Sequence, residues 1–236
     1  MSLSMSGSNN TSPIIAHDRQ ASIRRWALVA LVAHVLFVFS WLVAALWQGP
    51  RYSVLAHSIS DMYAVGAPNG AFLVIMITLC GVAAILFTLL SVWPSLRPGG
   101  WTVAVGSLLL VFSIFGVGNL LTAFERLACR RADPGCTATA QLTNFGGRLD
   151  AILSTIGVLL FVAAGFFLAS AMKRTPGWHG WAWPARWVMI LIIVLYIATG
   201  VLGAVGLSGL FERLLAATGA AGVALLAVGV LQRYPA

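Results

Sequence analysis

Charge is what this chain has least of. Of 236 residues only 8% are Asp, Glu, Lys or Arg, and just six are acids, while 60% are hydrophobic and the mean hydropathy is +0.94. A soluble domain of this length has no core large enough to hide so much apolar surface, so lipid must solvate it. Catalytic signatures are missing too: there is no HExxH, no GxSxG, no phosphate-binding glycine loop and no dinucleotide fingerprint. The four histidines fall at positions 17, 34, 57 and 179, in a tail, an apolar run and two opposite flanks. They cannot converge as intramembrane metal chemistry requires, so no metal and no cofactor is expected.

What is present is apolar length. Six runs, Trp26–Trp47, Gly70–Val92, Trp101–Ala123, Asp150–Met172, Trp187–Val205 and Leu214–Leu231, approach or exceed the roughly 20 residues needed to cross about 30 Å of hydrocarbon. None alternates as a barrel strand does, and lipid demands internally paired backbone, so the runs predict an all-α bundle of six transmembrane helices over 23–236. Tryptophans 26, 47, 93, 101, 178, 181, 183 and 187 stand at or near the run ends, as interfacial tryptophans do; Trp41 lies inside. No secretory signal peptide precedes the first run. Residues 1–22, rich in Ser and Asn, read as a disordered cytoplasmic tail.

The net charge of +8 would suggest nucleic acid in a soluble protein, but here the arginines flank apolar runs, where headgroup anchoring explains them. No nucleic-acid partner is expected. Arg19, Arg24, Arg25, Arg97, Lys173, Arg174, Arg186 and Arg233 share one side and Arg51, Arg126, Arg130, Arg131, Arg148 and Arg213 the other. Arg24–Arg25 directly precedes the first run, which orients both termini to the cytoplasm. Five of the six acids, Asp61, Glu125, Asp133, Asp150 and Glu212, then face outward beside the arginines.

Residues 51–72 concentrate Arg51, His57, Ser58, Ser60 and Asp61 between two apolar runs. A Ser, a His and an Asp within five residues rarely reach triad geometry, and a loop capped by its own side chains, with Asn69 capping the second helix, competes with a binding or catalytic role. Glu125 stands at a helix C-terminus, which the dipole disfavours, so it needs a partner in Arg126, Arg148 or Arg213. Asp150 and Glu212 stand at helix N-termini, where an acid needs no further explanation. Cys129 and Cys136, across an Asp-Pro-Gly turn, read as a disulfide rather than a zinc pair, since no histidine lies nearby; Cys80 reads as packing. Gly200, Gly203, Gly206 and Gly209, continued by Ala216, Ala220 and Ala224, make a small-residue face on the fifth and sixth helices, through which homo- or hetero-oligomers could form.

His57 to Asp61, the Asp133-Pro134-Gly135-Cys136 loop and Gly209-Leu210-Phe211-Glu212-Arg213 together resemble the DUF998 family of six-helix membrane proteins, over roughly residues 25–232. Ile59-Ser60-Asp61 followed by Gly66 and Pro68 is also similar to the Frag1/DRAM/Sfk1 group, which implies lipid or GPI-anchor handling. Neither resemblance implies a defined reaction.

Three functions follow as expectations. The first is recognition of a lipid headgroup at an outward site built from Arg51, His57, Ser60, Asp61, Glu125, Arg126, Arg148, Asp150, Glu212 and Arg213, with the arginines on phosphate and the acids holding them. Removing charge at Arg126 or Arg213 is then expected to abolish lipid co-purification and spare expression. The second is an enzyme acting on a lipid or lipid-linked substrate, its catalytic candidates His57, Asp61 and Glu125. The third is a scaffold that binds a partner through the glycine face.

Overall fold

The computed structural model describes residues 13–235, and among them every regular element is helical. The α-helices are α1 (Pro13–Ala44), α2 (Gly70–Phe87), α3 (Trp93–Leu96), α4 (Trp101–Phe112), α5 (Ala138–Gln141), α6 (Phe145–Arg174), α7 (Ala182–Leu202) and α8 (Ser208–Arg233). Extended by short 3₁₀ and π turns, they give six stretches long and apolar enough to cross a membrane: His17–Trp47, Gly70–Gly99, Trp101–Gly118, Phe145–Arg174, His179–Val205 and Ser208–Arg233. The six-span architecture is thus as the hydropathy predicts, in a multi-pass membrane protein. α1 starts at Pro13, within the stretch read from the sequence as a tail, with a proline suited to a first turn whose N–H groups go unpaired; residues 1–12 of that stretch lie outside the described ones.

The spans pack as a closed ring in chain order. α1 lies on α2, α2 on the third span, α4 on α6, α6 on α7, α7 on α8, and α8 returns to α1. Arg24 Nη1 donates to the Tyr234 carbonyl at 3.1 Å, which ties the two chain ends together on one face. The opposite, distal face carries the connections at 48–69, 119–144 and 203–207.

Lipid offers no hydrophobic drive between helices, so contact depends on shape. α1 shows this: Ala27, Ala30, His34, Phe37, Trp41 and Ala44 recur at spacings of three and four and are all buried. Val32, Val35, Leu36 and Phe39 stand exposed where acyl chains would lie. Trp41 and Trp178 are 5% and 1% exposed, so Trp178 is no interfacial anchor; the Arg233 guanidinium covers its ring at 3.9 Å from the centroid.

Two spans depart from regular helix. In the second, a π turn at Thr88–Val92 precedes Pro94, whose missing N–H breaks the ladder. The third, expected to be one helix over Trp101–Ala123, breaks at Ser113, where the backbone is extended (φ −71°, ψ 175°), and resumes as a π turn at Ile114–Gly118. The freed groups are repaired locally: Ser113 Oγ donates to Leu110 O at 2.7 Å, and the Gly116 and Gly118 N–H groups both donate to Ser113 O at 3.1 Å. This segment lies against α6 at Gly157, where an added Cβ would meet Ile114 N at 2.8 Å. Gly157→Ala is therefore expected to lower the melting temperature in detergent by several degrees, from about 1–3 kcal/mol of overpacking; an unchanged melting temperature would show that the two segments yield freely.

The glycine stripe does not form one helix face. Gly206, at φ +77°, is the turn between α7 and α8, and Gly209 backs onto the 51–63 loop, where a Cβ would strike the His57 carbonyl. These glycines serve the turn and the loop contact.

Candidate functional site

The 51–63 loop is held by its own polar groups, as the capped-loop reading expects. His57 Nδ1 accepts from the Ser53 N–H at 3.0 Å, Ser58 Oγ accepts from the Asp61 N–H at 3.1 Å, and the Tyr52 hydroxyl donates to Ser58 O at 3.1 Å. His57 Nδ1 and Ser58 Oγ are thereby committed to backbone, and burial lowers the His57 pKa below the usual histidine value. Asn69 does occupy the position before α2, but in the left-handed region (φ +50°) and with no side-chain capping bond.

The arginines are committed as well. Arg213 Nη1 donates to the carbonyls of Val54, His57 and Gly209, each at 2.8 Å, and Nη2 donates to the Tyr52 hydroxyl. Arg126 donates to Tyr63 O and Ala64 O at 2.8 and 3.0 Å. Arg130 donates to Gln48 O at 2.8 Å, and Arg148 to Leu142 O and Thr143 O. Arg51 is exposed. Loop carbonyls beside a membrane have few donors to turn to, and the five-donor guanidinium fork collects several at once. The expected pairing of Glu125, Asp61 and Glu212 with these arginines does not occur. The one ion pair among the described residues is Arg130–Asp133, at 3.6 Å.

The acids go elsewhere. α6 and α8 begin at Phe145 and Ser208, with Asn144 Oδ1 capping α6 through the Gly147 N–H at 2.7 Å. Asp150 and Glu212 therefore sit in the second turn, beyond the dipole benefit expected of an N-terminal acid, and line a cavity of about 470 Å³ inside the ring with Glu125. Asp150 Oδ1 accepts from the Ser60 hydroxyl at 3.2 Å and from Tyr63 at 3.5 Å; Glu212 Oε1 accepts from the Ile59 N–H at 3.0 Å. The polar end also carries Asn119, Thr122, Gln141, Ser154, Tyr196 and Thr199; the other end is Phe37, Ile77, Phe115, Phe161, Ile192 and Leu215. From Asp150 to Phe161 the wall descends about 16 Å along α6, roughly half of the hydrocarbon thickness.

Glu125 is 3% exposed and its Oε1 has no partner. Burial, reinforced by Asp150, pushes its carboxyl up to about 8, so it carries a proton at neutral pH. Asp61, fully buried, does not line the cavity. Its Oδ1 accepts from Gln141 Nε2 at 2.7 Å and the Arg131 N–H at 3.0 Å, and burial raises its pKa above the usual carboxylate value. Asp61 thus fastens α5 over the cavity, where Ala138, Gln141 and Leu142 form part of the wall. Cys129 and Cys136 brace the same segment at disulfide distance, Cα–Cα 6.0 Å, as the sequence predicts. Buried Cys80 is free.

Of the ten expected site residues, Ser60, Glu125, Asp150 and Glu212 meet in the cavity; His57, Asp61, Arg126 and Arg213 support its walls; Arg51 and Arg148 face outward. Sequence reasoning missed Tyr63, Gln141, Tyr196 and Thr199. Only Tyr196 and Thr199 carried a signal, as polar groups one turn apart in an apolar run. No three His, Cys, Asp or Glu among the described residues are grouped to hold a metal ion.

No curated protein and no solved structure matches the chain. Residues 31–229 match the family described as "Protein of unknown function (DUF998)", and with most of its length covered, the chain belongs to that family.

Proposed function

We propose that this protein binds an amphiphile in the distal cavity. The headgroup lies among Glu125, Asp150 and Glu212, and the apolar chain lies along Phe37, Ile77, Ile192 and Leu215. The observation that carries this reading is the graded lining of a single space, acidic at the membrane surface and aromatic and aliphatic at mid-depth. Its volume falls within the roughly 300–1,000 Å³ typical of small-molecule sites. No Arg or Lys side chain lines it; of the four arginines read from the sequence as phosphate ligands, Arg126, Arg148 and Arg213 act on the protein's own carbonyls and Arg51 is exposed. The headgroup that suits three carboxyls is one that brings hydrogen-bond donors. We place the distal face outside a bacterial plasma membrane, because Arg24–Arg25 precedes the first span and the cysteine pair suits an oxidising compartment.

Turnover of a lipid or lipid-linked substrate is a second reading, favoured by one observation: Glu125 holds a proton at neutral pH, as a general acid must.

Filling the cavity tests the binding reading. Ala216 lines it from α8, and Ala216→Trp is expected to cut co-purifying amphiphile by about tenfold in native mass spectrometry while the protein stays monodisperse. Equal retention would end the proposal. Turnover predicts in addition that a lipid precursor accumulates in a deletion strain.

A further inference from the structure

Building on the amphiphile reading, we infer that the bound amphiphile carries a hydrocarbon chain longer than one leaflet is deep, whose far end occupies a second chamber beneath the first. The observation is a separate apolar space of about 80 Å³ that shares one wall residue, Phe161, with the distal cavity. The two are stacked turn on turn along four spans. On the third span Leu110 lines the lower space and Ile114 the upper one. The same holds of Met189 and Ile192 on α7 and of Gly222 and Gly219 on α8, while Phe161 of α6 lines both. Phe161 is buried, and its ring packs on that of Phe115 with centroids 4.8 Å apart, so this aromatic pair is the partition.

The lower space selects its occupant by what it lacks. No charged residue lines it, and Trp181 alone brings a side-chain nitrogen or oxygen. Apolar cavities of this kind stay dry and take up hydrocarbon. A single water needs roughly 10–15 Å³ of such space, so several methylene-sized groups enter before any wall moves. Met172 and Met189, flexible thioether chains, yield to admit more. Packed interiors keep few voids larger than a water, so one held directly under a ligand cavity calls for an occupant. Depth then sets the chain length. At 1.5 Å per residue, Asp150 to Leu168 covers about 27 Å along α6, against about 15 Å for one leaflet of a hydrocarbon layer roughly 30 Å thick. A chain of one leaflet's depth ends at Phe161; only a longer one displaces the ring and reaches Leu168.

Two probes, dodecylamine and docosylamine, each with a diazirine at the chain end, would be added to the full chain in nanodiscs and photocrosslinked. The amine brings donors to the acidic end of the upper cavity, and the labelled residues would be read by mass spectrometry. The docosyl probe is expected to label Leu168, Met172 or Met189, and the dodecyl probe Ile77, Ile114 or Ile192. Leu168, Met172 and Met189 are 3%, 4% and 5% exposed, so lipid surrounding the protein does not reach them. In Ala216→Trp, which fills the upper cavity, docosyl label in the lower chamber is expected to be lost. Its survival there would show that chains enter from the bilayer, and would overturn the inference. Docosyl label confined to the upper cavity of the wild-type chain would overturn it too, leave amphiphile binding standing, and does not depend on the variant folding. A wild-type chain labelled in neither space by either probe would overturn both readings.

Discussion

Arg213→Leu is expected to abolish folding rather than ligand binding, which reverses what the sequence suggests. The side chain is 6% exposed and serves three carbonyls from two elements, Val54 and His57 in the first distal loop and Gly209 in α8, together with the Tyr52 hydroxyl. Its guanidinium also lies about 6 Å from the Trp41 and Tyr52 ring centroids, at 6.0 and 5.9 Å. The Gly209 carbonyl keeps its helical N–H donor, but the Val54 and His57 carbonyls lose theirs; at about 1–3 kcal/mol each the two cost on the order of 4 kcal/mol, close to the whole stability of many domains. Lysine offers a point charge in place of the fork, so Arg213→Lys is expected to recover only part of the loss. Fluorescence-detected size exclusion and thermal shift in detergent measure both. A monodisperse Arg213→Leu protein with an unchanged melting temperature and no bound lipid would restore the ligand-contact role.

The second large effect is on pH. The Glu125 carboxyl, ordinarily near 4.5, is held up at about 8. Below 4.5 the folded and unfolded chains both hold the proton, and the group contributes nothing. Between 4.5 and 8 the unfolded chain releases it while the folded chain keeps it, so the unfolded state gains and stability falls as pH rises. Above 8 the full penalty is present, about 5 kcal/mol for a shift of about 3.5 at roughly 1.4 kcal/mol per pH unit. The raised Asp61 adds in the same direction. The melting temperature is expected to drop by about 10 °C from pH 5 to pH 8.5, at roughly 2–4 °C per kcal/mol for a chain of this size. Glu125→Gln keeps the shape without the charge, so it should match wild type at pH 5, exceed it at pH 8.5 and leave a shallower slope due to Asp61. Parallel curves for the two proteins would refute Glu125 as the source.

The six spans could be read from the chain because crossing a membrane constrains length and polarity within one segment. The cysteine pair could be read because seven residues and an Asp-Pro-Gly turn close it locally. The inward face of α1 could not, since its lipid side is as apolar as its packed side; Ala27, Ala30 and Ala44 differ from Val32 and Leu36 in size more than in polarity. The acids and bases of the distal loops invited pairing by sign. What decided their places was which carbonyls lacked donors, a property of the folded loops: Arg126 and Arg213 went to backbone and Glu125 to the cavity. Helix starts mattered as much. Moving the start of the fourth span from Asp150 to Phe145 takes Asp150 from a helix cap to a cavity wall.

The ring closes between its first and last members, and this sets an order on biogenesis. α8 is synthesised last, and only with it come the Arg213 fork for Val54 and His57 and the Glu212 acceptor for the Ile59 N–H, a contact spanning 153 residues. Until then Trp41 of α1 lacks the Arg213 guanidinium that lies against its ring, and the loop that will wall the cavity holds unpaired carbonyls. A ribosome that stops before residue 208 therefore leaves the first five spans with an open seam and no enclosed cavity.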